Sequence, residues 1–447
     1  MDFGETESLC PVCLAKIPAK RVVLNNNVFL EKSCLEHGSF RALLWRDANL
    51  YEEWGRGEDA PGSETKFSTT NMGCPYDCGL CPEHRGDTCT ALMEVTHRCD
   101  IKCPVCFANS EKNLIEPSIE TIKAMYRTVI EAGGPYPVQL SGGEPTVRND
   151  LADIVAMGKR MGFYHIQLNT NGIRLAREKE YLRQLKDSGL DLVYLQFDGI
   201  SDDVYRLTRG ADLFEYKLQA IKNCLDVKMG VTLVPTLIPG VNDHQIGDIV
   251  RFAKEWIPIV KGVHFQPVSY FGRYHKVPDD QDRITIPDVL RALEVQTEGE
   301  VKAGNFIPRR RKDSHCGFSG FFVLTKENKL KATVDFPQRK ADERNSDQFT
   351  ISPAEHVRTF IDRRCRFVEK NTGCCTAKVG SWAEFFDRAD THYLSISGMP
   401  FQDVWTIDLE RLRGCCIHVV SPARKLIPFC SYYLTSISGQ RLHEDKF

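Results

Sequence analysis

Residues 91–270 alternate short apolar runs typical of strands with longer amphipathic segments, and this alternation limits the fold more than any other feature. The candidate strands are ALMEVTH (91–97), YPVQL (136–140), FYHIQLN (163–169), LDLVYLQF (190–197), GVTLVPTL (230–237) and GVHFQPV (262–268). The segments between them repeat apolar residues at helical spacing. Together they predict a parallel α/β sheet built from βαβ units. Six units are too few for a closed barrel, so an open partial barrel and a doubly wound sheet both fit.

Three cysteines follow the first candidate strand: Cys99, Cys103 and Cys106, spaced CxxxCxxC. In either topology, ligands gather at the carboxyl ends of the strands. Thiolates suit zinc or iron–sulfur clusters. A cubane cluster has four irons, so three cysteines leave one iron open unless a distant fourth cysteine joins them. The alternatives are three buried structural thiols, or a zinc site with a remote fourth ligand.

The second strand ends in GGEP, formed by Gly142, Gly143, Glu144 and Pro145. Glycine lets a ligand approach the main chain, and a carboxylate suits an ammonium group. CxxxCxxC after one strand and GGEP after the next resemble the radical S-adenosylmethionine (SAM) superfamily. Many members carry an aromatic residue just before the third cysteine, where this chain has Val105.

The resemblance implies a partial (βα)6 TIM-like barrel and a [4Fe-4S] cluster whose open iron is chelated by SAM. In that superfamily, GGEP holds the methionine amino group of SAM. Reductive cleavage of SAM then gives a 5′-deoxyadenosyl radical that abstracts hydrogen from an unactivated C–H bond. No catalytic side chain is assigned.

Polar residues end the next two strands: Asn169 and Asn171 in LNTNG, and Gln196 and Asp198 in LQFDG. They are candidates to bind the ribose or carboxylate of SAM, or the substrate. The alternative is that they are ordinary loop and helix-cap residues.

Upstream lies a second cysteine set, Cys74, Cys78, Cys81 and Cys89, in GCPYDCGLCPEHRGDTC. Four cysteines within sixteen positions predict an auxiliary iron–sulfur cluster, in which His84 is an alternative ligand. A redox-active dithiol is the other interpretation, although it rarely needs four thiols.

The amino-terminal residues pair Cys10 and Cys13 with Cys34 and His37. Two such knuckles are typical of a rubredoxin or zinc-ribbon module with one mononuclear ion, either zinc or iron.

Towards the carboxyl end, two candidate hairpins carry further cysteines. Cys316 precedes the first, and RGCCIHVVSPARKLIPFC forms the second. We predict another auxiliary cluster from Cys316, Cys415, Cys416 and Cys430.

These cysteine-rich flanks sharpen the resemblance to the radical SAM branch of archaeal tetraether synthase and the pterin-directed methyltransferases, and within it to the TrsS subgroup. The implied chemistry is C–C or C–S bond formation or methylation on a lipid, cofactor or peptide. The predicted organisation is a metal module (1–58), an auxiliary cluster segment (59–90), the radical SAM core (91–270) and a carboxyl-terminal auxiliary cluster or substrate region (271–447).

Composition limits the classes of partner that we expect for this protein. A formal net charge of −2 favours neither nucleic acid nor an anionic membrane. No apolar run reaches the ~18 residues of a membrane span, and the first residues do not resemble a secretory signal. We therefore expect a cytoplasmic protein that takes electrons from a donor such as ferredoxin or flavodoxin. The alternatives are a non-catalytic iron–sulfur carrier or scaffold, and a zinc-ribbon protein that binds nucleic acid.

Overall fold

The computed structural model describes residues 2–55, 67–110, 116–274, 276–308, 314–333, 388–389 and 391–443. The predicted boundary between residues 58 and 59 lies outside these ranges. Within them, no helix is both long and apolar enough to cross a membrane.

The amino-terminal residues form their own antiparallel sheet, in which four strands pair in chain order. These strands are β1 (Asp2–Leu9), β2 (Lys16–Leu24), β3 (Asn27–Cys34) and β4 (Gly38–Arg46). Cys10 and Cys13 lie in the turn after β1, whereas Cys34 ends β3 just before His37. The helix α1 (Ala48–Gly55) follows the sheet. This is the ribbon-like module that the paired knuckles predict.

The six predicted core strands all form, and they pair in parallel. They are β5 (Thr90–Thr96), β6 (Val138–Gly142), β7 (Ile166–Thr170), β8 (Leu192–Gln196), β9 (Gly230–Val234) and, after the short β10 (Thr236–Leu237), β11 (Val260–Pro267). Their spatial order is β5-β6-β7-β8-β9-β11. A doubly wound sheet would reverse its order part-way. The uninterrupted order therefore gives the predicted partial barrel instead.

Amphipathic helices connect these strands and bury one face each. They are α2 (Ile119–Glu131), α3 (Leu151–Arg160), α4 (Ile173–Arg177), α5 (Lys179–Asp187), α6 (Asp202–Arg209), α7 (Phe214–Asp226), α8 (Ile246–Glu255) and α9 (Ile286–Gln296). Helix α2 shows the pattern: Ser118 caps its first turn by accepting a hydrogen bond from the Thr121 amide. Its apolar residues then bury the face that packs on the sheet.

Strands from the carboxyl-terminal segment extend the same sheet at both edges. They are β12 (Ile307–Pro308), β13 (Phe318–Leu324), β14 (Leu330–Ala332), β15 (Tyr393–Gly398), β16 (Ile417–Val420) and β17 (Leu426–Pro428), with helices α10 (Leu409–Arg413) and α11 (Phe429–Tyr432). Strand β15 pairs in parallel with β11, and β16 pairs in parallel with β5. The two predicted hairpins are β13–β14 and β16–β17.

The amino-terminal sheet is fixed to the carboxyl-terminal segment by polar contacts. Arg21 Nε lies 2.6 Å from an Asp408 carboxylate oxygen. Lys32 is buried, and its Nζ donates a hydrogen bond to the Val404 carbonyl at 2.6 Å. Ends of the chain that are distant in sequence therefore form one contact region.

Candidate active site and metal centres

Cys99, Cys103 and Cys106 lie on the loop after β5, at the carboxyl ends of the barrel strands, and all three line one cavity of about 550 Å³. The loop is held in place by Arg273. Its backbone forms paired 3.0 Å hydrogen bonds with Cys106, and its side chain donates to the Cys103 carbonyl at 2.9 Å. Burial raises the pKa of the Cys99 and Cys103 thiols. Such thiols are costly to ionise unless a bound metal compensates the thiolate charge. They are therefore suited to be metal ligands.

The GGEP turn packs directly on the start of this loop. The Gly143 amide donates to the Thr96 carbonyl, and the Glu144 amide donates to the Arg98 carbonyl, both at 2.8 Å. A Cβ on Gly143 would lie 2.1 Å from the Arg98 carbonyl oxygen. Gly142 has a φ of +123° and leaves even less room, because its Cβ would lie 2.0 Å from the Thr96 oxygen. Both glycines are therefore required for the close approach of GGEP to the cysteine loop.

The Glu144 carboxylate is buried and lines the cavity. Its Oε1 accepts hydrogen bonds from the hydroxyls of Thr146 and Thr170, at 2.6 and 2.7 Å. Its Oε2 accepts one from the Asn171 amide at 2.6 Å. Burial and the nearby Asp100 raise the pKa of Glu144. A cationic amine placed at Oε2 would favour the charged carboxylate and so oppose both effects on the pKa. The predicted contact with the SAM amino group is an interaction of this kind.

Of the eight predicted SAM-binding residues, six line the cavity. These six are Gly142, Gly143, Glu144, Asn169, Asn171 and Gln196. Pro145 and Asp198 are not among the lining residues. Pro145 instead begins the short helical turn that follows Glu144.

Asp198 is fully buried and forms a bidentate ion pair with Arg209, at 2.6 and 3.0 Å. Arg209 lines the cavity, and its charge opposes the effect of burial on the pKa of Cys103. Asp198 therefore positions a guanidinium beside the cysteine loop, where it suits a carboxylate ligand. Arg209 could not be identified from the sequence, because nothing in the sequence pairs the end of α6 with the end of β8.

Lys217 is a second charged group that the sequence pattern did not indicate. It is completely buried on α7 and donates hydrogen bonds to the Asn171 carbonyl and to Gln196 Oε1, the latter at 2.8 Å. Burial lowers its pKa to about 7. Lys217 thus links two of the predicted strand-end residues from behind the cavity.

At the amino-terminal centre, one ligand atom from each of Cys10, Cys13, Cys34 and His37 lies within 4.8 Å of the others. His37 Nδ1 is 3.7 Å from Cys10 Sγ and 3.5 Å from Cys34 Sγ. Tetrahedral coordination with bonds of about 2.3 Å to sulfur and 2.0 Å to nitrogen separates such ligands by about 3.5 Å. This donor set therefore fits one mononuclear metal ion. Among the described residues, no other group of three or more ligands is gathered so tightly.

Two family models match the chain. The Radical SAM superfamily model matches residues 93–253, and the "HMPTM N-terminal zinc ribbon domain" model matches residues 3–46. A 7,8-dihydro-6-hydroxymethylpterin dimethyltransferase from Methanocaldococcus jannaschii is 37% identical over 472 residues, covering 96% of this chain and 93% of the relative. The chain belongs to the radical SAM superfamily.

Other proteins match less of the chain. The Fe-coproporphyrin III synthase of Methanosarcina barkeri is 26% identical and covers 70% of the chain and 73% of the relative. The crystal structure of Streptococcus suis SuiB bound to its precursor peptide SuiA has a TM-score of 0.40 at 16% identity, covering 48% of this chain and 46% of that one.

Membership in the radical SAM superfamily implies a [4Fe-4S] cluster and SAM. The cysteine loop fits this cluster: it brings three soft ligands to the cavity without gathering them into a mononuclear site. Glu144, Asn171 and Arg209 offer SAM partners of the right charge and polarity at the same end of the cavity.

The upstream cysteines of this radical SAM protein surround a second, much smaller cavity. Cys74, Cys78 and Cys81 line it together with His84. Cys74 and Cys78 interact directly: this contact lowers the pKa of Cys74 and raises that of Cys78. His84 in turn lies 3.2 Å from His418, nitrogen to nitrogen.

The fourth member of the upstream set, Cys89, lies elsewhere. Its Sγ is 2.7 Å from Cys416 Sγ, because β16 pairs with β5. Cys430 is another of the carboxyl-terminal cysteines. Its pKa is raised by burial and by the nearby Cys415 and Cys316. The Arg411 guanidinium contacts Cys316 Sγ at 3.0 Å. Two of the four predicted carboxyl-terminal ligands, Cys316 and Cys415, thus act on a third, Cys430. Cys416 and Cys89 link the two predicted sets.

Proposed function

We propose that this radical SAM enzyme abstracts hydrogen from a carbon of a small, polar, pterin-class heterocycle, in a reaction that leads to methylation. The cluster and SAM, when bound, supply the 5′-deoxyadenosyl radical for this step. The proposal is supported by the relative that covers nearly the whole chain, whose name gives 7,8-dihydro-6-hydroxymethylpterin as its substrate. It narrows the broader expectation of a lipid, cofactor or peptide to the cofactor class.

The observation that carries the proposal is a set of amide groups inside the barrel. Gln167 Nε2, Asn169 Oδ1 and Gln196 Nε2 are buried and have no hydrogen-bond partner among the described residues. All three side chains line the cavity. Leaving a buried polar group unpaired costs about 1–3 kcal/mol. A ligand that offers both donors and acceptors removes this cost.

A pterin-class ring suits this lining better than an alkyl chain does. Its edge carries amide-like donors and acceptors, which match the unpaired amides of β7 and β8. Its faces are flat, and the cavity is also lined by Phe271, Phe401 and Phe429. The rings of Phe401 and Phe429 already stack, with centroids 4.2 Å apart. A flat heteroaromatic ligand can use both surfaces.

Deuterium transfer tests the reaction. The reconstituted enzyme, given SAM, a reductant and 7,8-dihydro-6-hydroxymethylpterin deuterated on its reactive carbons, is expected to produce deuterium-labelled 5′-deoxyadenosine. Mass spectrometry of the nucleoside is the measurement. Unlabelled nucleoside from a fully labelled pterin would contradict the proposal. Titration of the protein with SAM alone distinguishes the proposed enzyme from a non-catalytic electron carrier, because such a carrier is not expected to bind SAM.

Replacing Gln167 by leucine is expected to weaken pterin binding by about tenfold or more, because the pterin group that Gln167 would pair is left buried without a partner, at a cost of about 1–3 kcal/mol. SAM binding should stay near its wild-type level. Equilibrium dialysis of both ligands is the measurement. The matched control is Gln219→Leu on α7, which makes the same change away from the cavity. Equal pterin affinity in the Gln167→Leu and Gln219→Leu variants would refute the assignment of Gln167 to the pterin site.

Two auxiliary [4Fe-4S] clusters belong to the same proposal, and we assign them to electron relay from a donor such as ferredoxin or flavodoxin. Cys74, Cys78 and Cys81 would hold one cluster, with His84, which lines the same small cavity, as the fourth ligand. Cys316, Cys415, Cys416 and Cys430 remain the candidates for the other. The amino-terminal centre would hold zinc, because its ligand set contains a histidine and matches a zinc-ribbon model.

Metal analysis tests these assignments. The anaerobically reconstituted wild-type protein is expected to contain about twelve irons, at four per cubane, and one zinc. Replacing Cys74, Cys78 and Cys81 together by alanine should remove about four irons and leave the zinc. An unchanged iron content would rule out the upstream cluster. The matched control is Cys224→Ala, which removes a core cysteine on α7 that lies outside every predicted set.

A further inference from the structure

Strand β11 contains a bulge that places a lysine in the barrel. Val260 pairs with Val231 and Gly262 with Thr232, so the register shifts at Lys261, which is the extra residue of the bulge. A bulge re-aims a side chain and is common next to active sites. Lys261 is only 3% exposed and lines the cavity. Its Nζ lies 5.0 Å from the centroid of the Tyr393 ring.

The neighbouring residue makes this arrangement possible. Gly262 pairs with Ser395 on β15, and a Cβ on Gly262 would lie 2.8 Å from the Ser395 carbonyl oxygen. Strand β15 can therefore approach β11 closely beside the bulge only because residue 262 is glycine.

Hydroxyl groups continue the polar surface beside Lys261. His264 pairs with Ser397 on β15, which in turn pairs with Ser319 on β13. His264 Nδ1 and Ser397 Oγ are 2.9 Å apart. Ser319, Ser395 and Ser397 all line the cavity. Lysine, histidine and serine side chains together are a typical set for binding an anion.

This surface lies at the opposite end of the cavity from the cysteine loop. Lys261 is near the amino end of β11, and six residues at about 3.3 Å each place it roughly 20 Å from Pro267 at the carboxyl end. Among the described residues that line the cavity, Glu144 is the sole carboxylate, and it belongs to the cysteine-loop end. Among these lining residues, the floor of the cavity therefore has a lysine and no carboxylate.

We infer that the substrate carries an anionic group, a phosphate ester or a carboxylate, which binds Lys261 at the cavity floor beside Ser395 and Ser397. The identity of the ring rests on the proposed function, but the anion site does not. An anion at the floor and amide contacts along β7 and β8 would fix the substrate at two points, with its reactive carbon directed towards SAM.

Equilibrium binding to the full-length, cluster-loaded protein tests the inference. The probes are 7,8-dihydro-6-hydroxymethylpterin, its phosphate monoester, its 6-carboxylate counterpart, and inorganic phosphate. We expect at least one anionic pterin to bind ten times more tightly than the neutral one, and inorganic phosphate to compete with it. The tighter of the two anionic pterins identifies the natural group. Equal binding of all three pterins would overturn the inference.

Variants locate the site. Lys261→Met should abolish the anionic preference and phosphate competition while SAM binding persists, whereas Lys261→Arg should retain both. The control is Lys254→Met, at a lysine on α8 that is paired with Glu300 and does not line the cavity. A preference that survives Lys261→Met would overturn the inference. If that variant does not fold, the wild-type competition experiment decides.

The same data separate this inference from the proposed function. Phosphate binding that depends on Lys261, without binding of any pterin, would overturn the pterin assignment alone. Pterin binding without an anionic preference would overturn the anion site alone.

Discussion

Alanine at Cys99, Cys103 and Cys106 together is expected to abolish formation of 5′-deoxyadenosine from SAM. These three thiols are the soft ligands that the loop after β5 brings to the cavity. Without them, no cluster is held where SAM can accept an electron. Chromatography of the nucleoside after anaerobic incubation with SAM and a reductant is the measurement.

Two comparisons make this result specific. The triple variant should lose about four irons and keep the amino-terminal metal, because that centre lies in a separate sheet. Cys224→Ala should form nucleoside at close to the wild-type rate, because Cys224 is a core residue on α7. Nucleoside formation in the triple variant would refute the assignment of the loop.

Gly143→Ala is expected to weaken SAM binding by about thirtyfold. The new Cβ would lie 2.1 Å from the Arg98 carbonyl oxygen, so the GGEP turn or the cysteine loop must move. Overpacking of this kind costs about 1–3 kcal/mol, and 2 kcal/mol corresponds to about thirtyfold in affinity. Isothermal titration of the cluster-loaded protein with SAM is the measurement.

The control for Gly143→Ala is Gly162→Ala. Gly162 has a φ of +94°, but a Cβ there meets nothing within 4 Å. That variant carries only a backbone strain of about 1 kcal/mol at a distant turn, so SAM affinity should be retained. If both variants bind SAM like the wild type, GGEP does not position the cofactor through this contact.

The barrel strands could be predicted because their pattern is local. Alternating apolar and amphipathic runs identified all six core strands, and the glycine pair marked the end of β6 at the correct place. Spacing alone left an open barrel and a doubly wound sheet unresolved. Only the pairing order of the strands, which no local pattern encodes, separates these two folds.

The charged groups around the cavity could not be predicted, because each depends on tertiary contacts. Arg209 is brought to the cavity by a buried ion pair with Asp198. Lys217 is held by hydrogen bonds to Asn171 and Gln196, which lie 46 and 21 residues away in the chain. Lys261 enters the barrel through a register shift, which reverses the side-chain direction expected from simple alternation. In sequence, these residues resemble ordinary surface charges on amphipathic elements.

The cysteine contacts likewise fall into two kinds, those that follow from local spacing and those that depend on strand pairing. The four residues that short spacings grouped at the amino-terminal centre lie close together, where knuckles of local turns meet. The contact between Cys89 and Cys416 spans 327 residues and exists because β16 joins the edge of β5. Grouping by spacing alone therefore does not reveal which cysteines of different segments become neighbours.

The placement of β15 and β16 on opposite edges of the barrel has a consequence for biosynthesis. A ribosome completes the six core strands and the cysteine loop long before it reaches residue 393. During that interval both edges of the nascent sheet are bare, and the cavity is accessible from the side. The walls of the cavity are therefore completed only when β15 and β16 add to the two edges of the sheet.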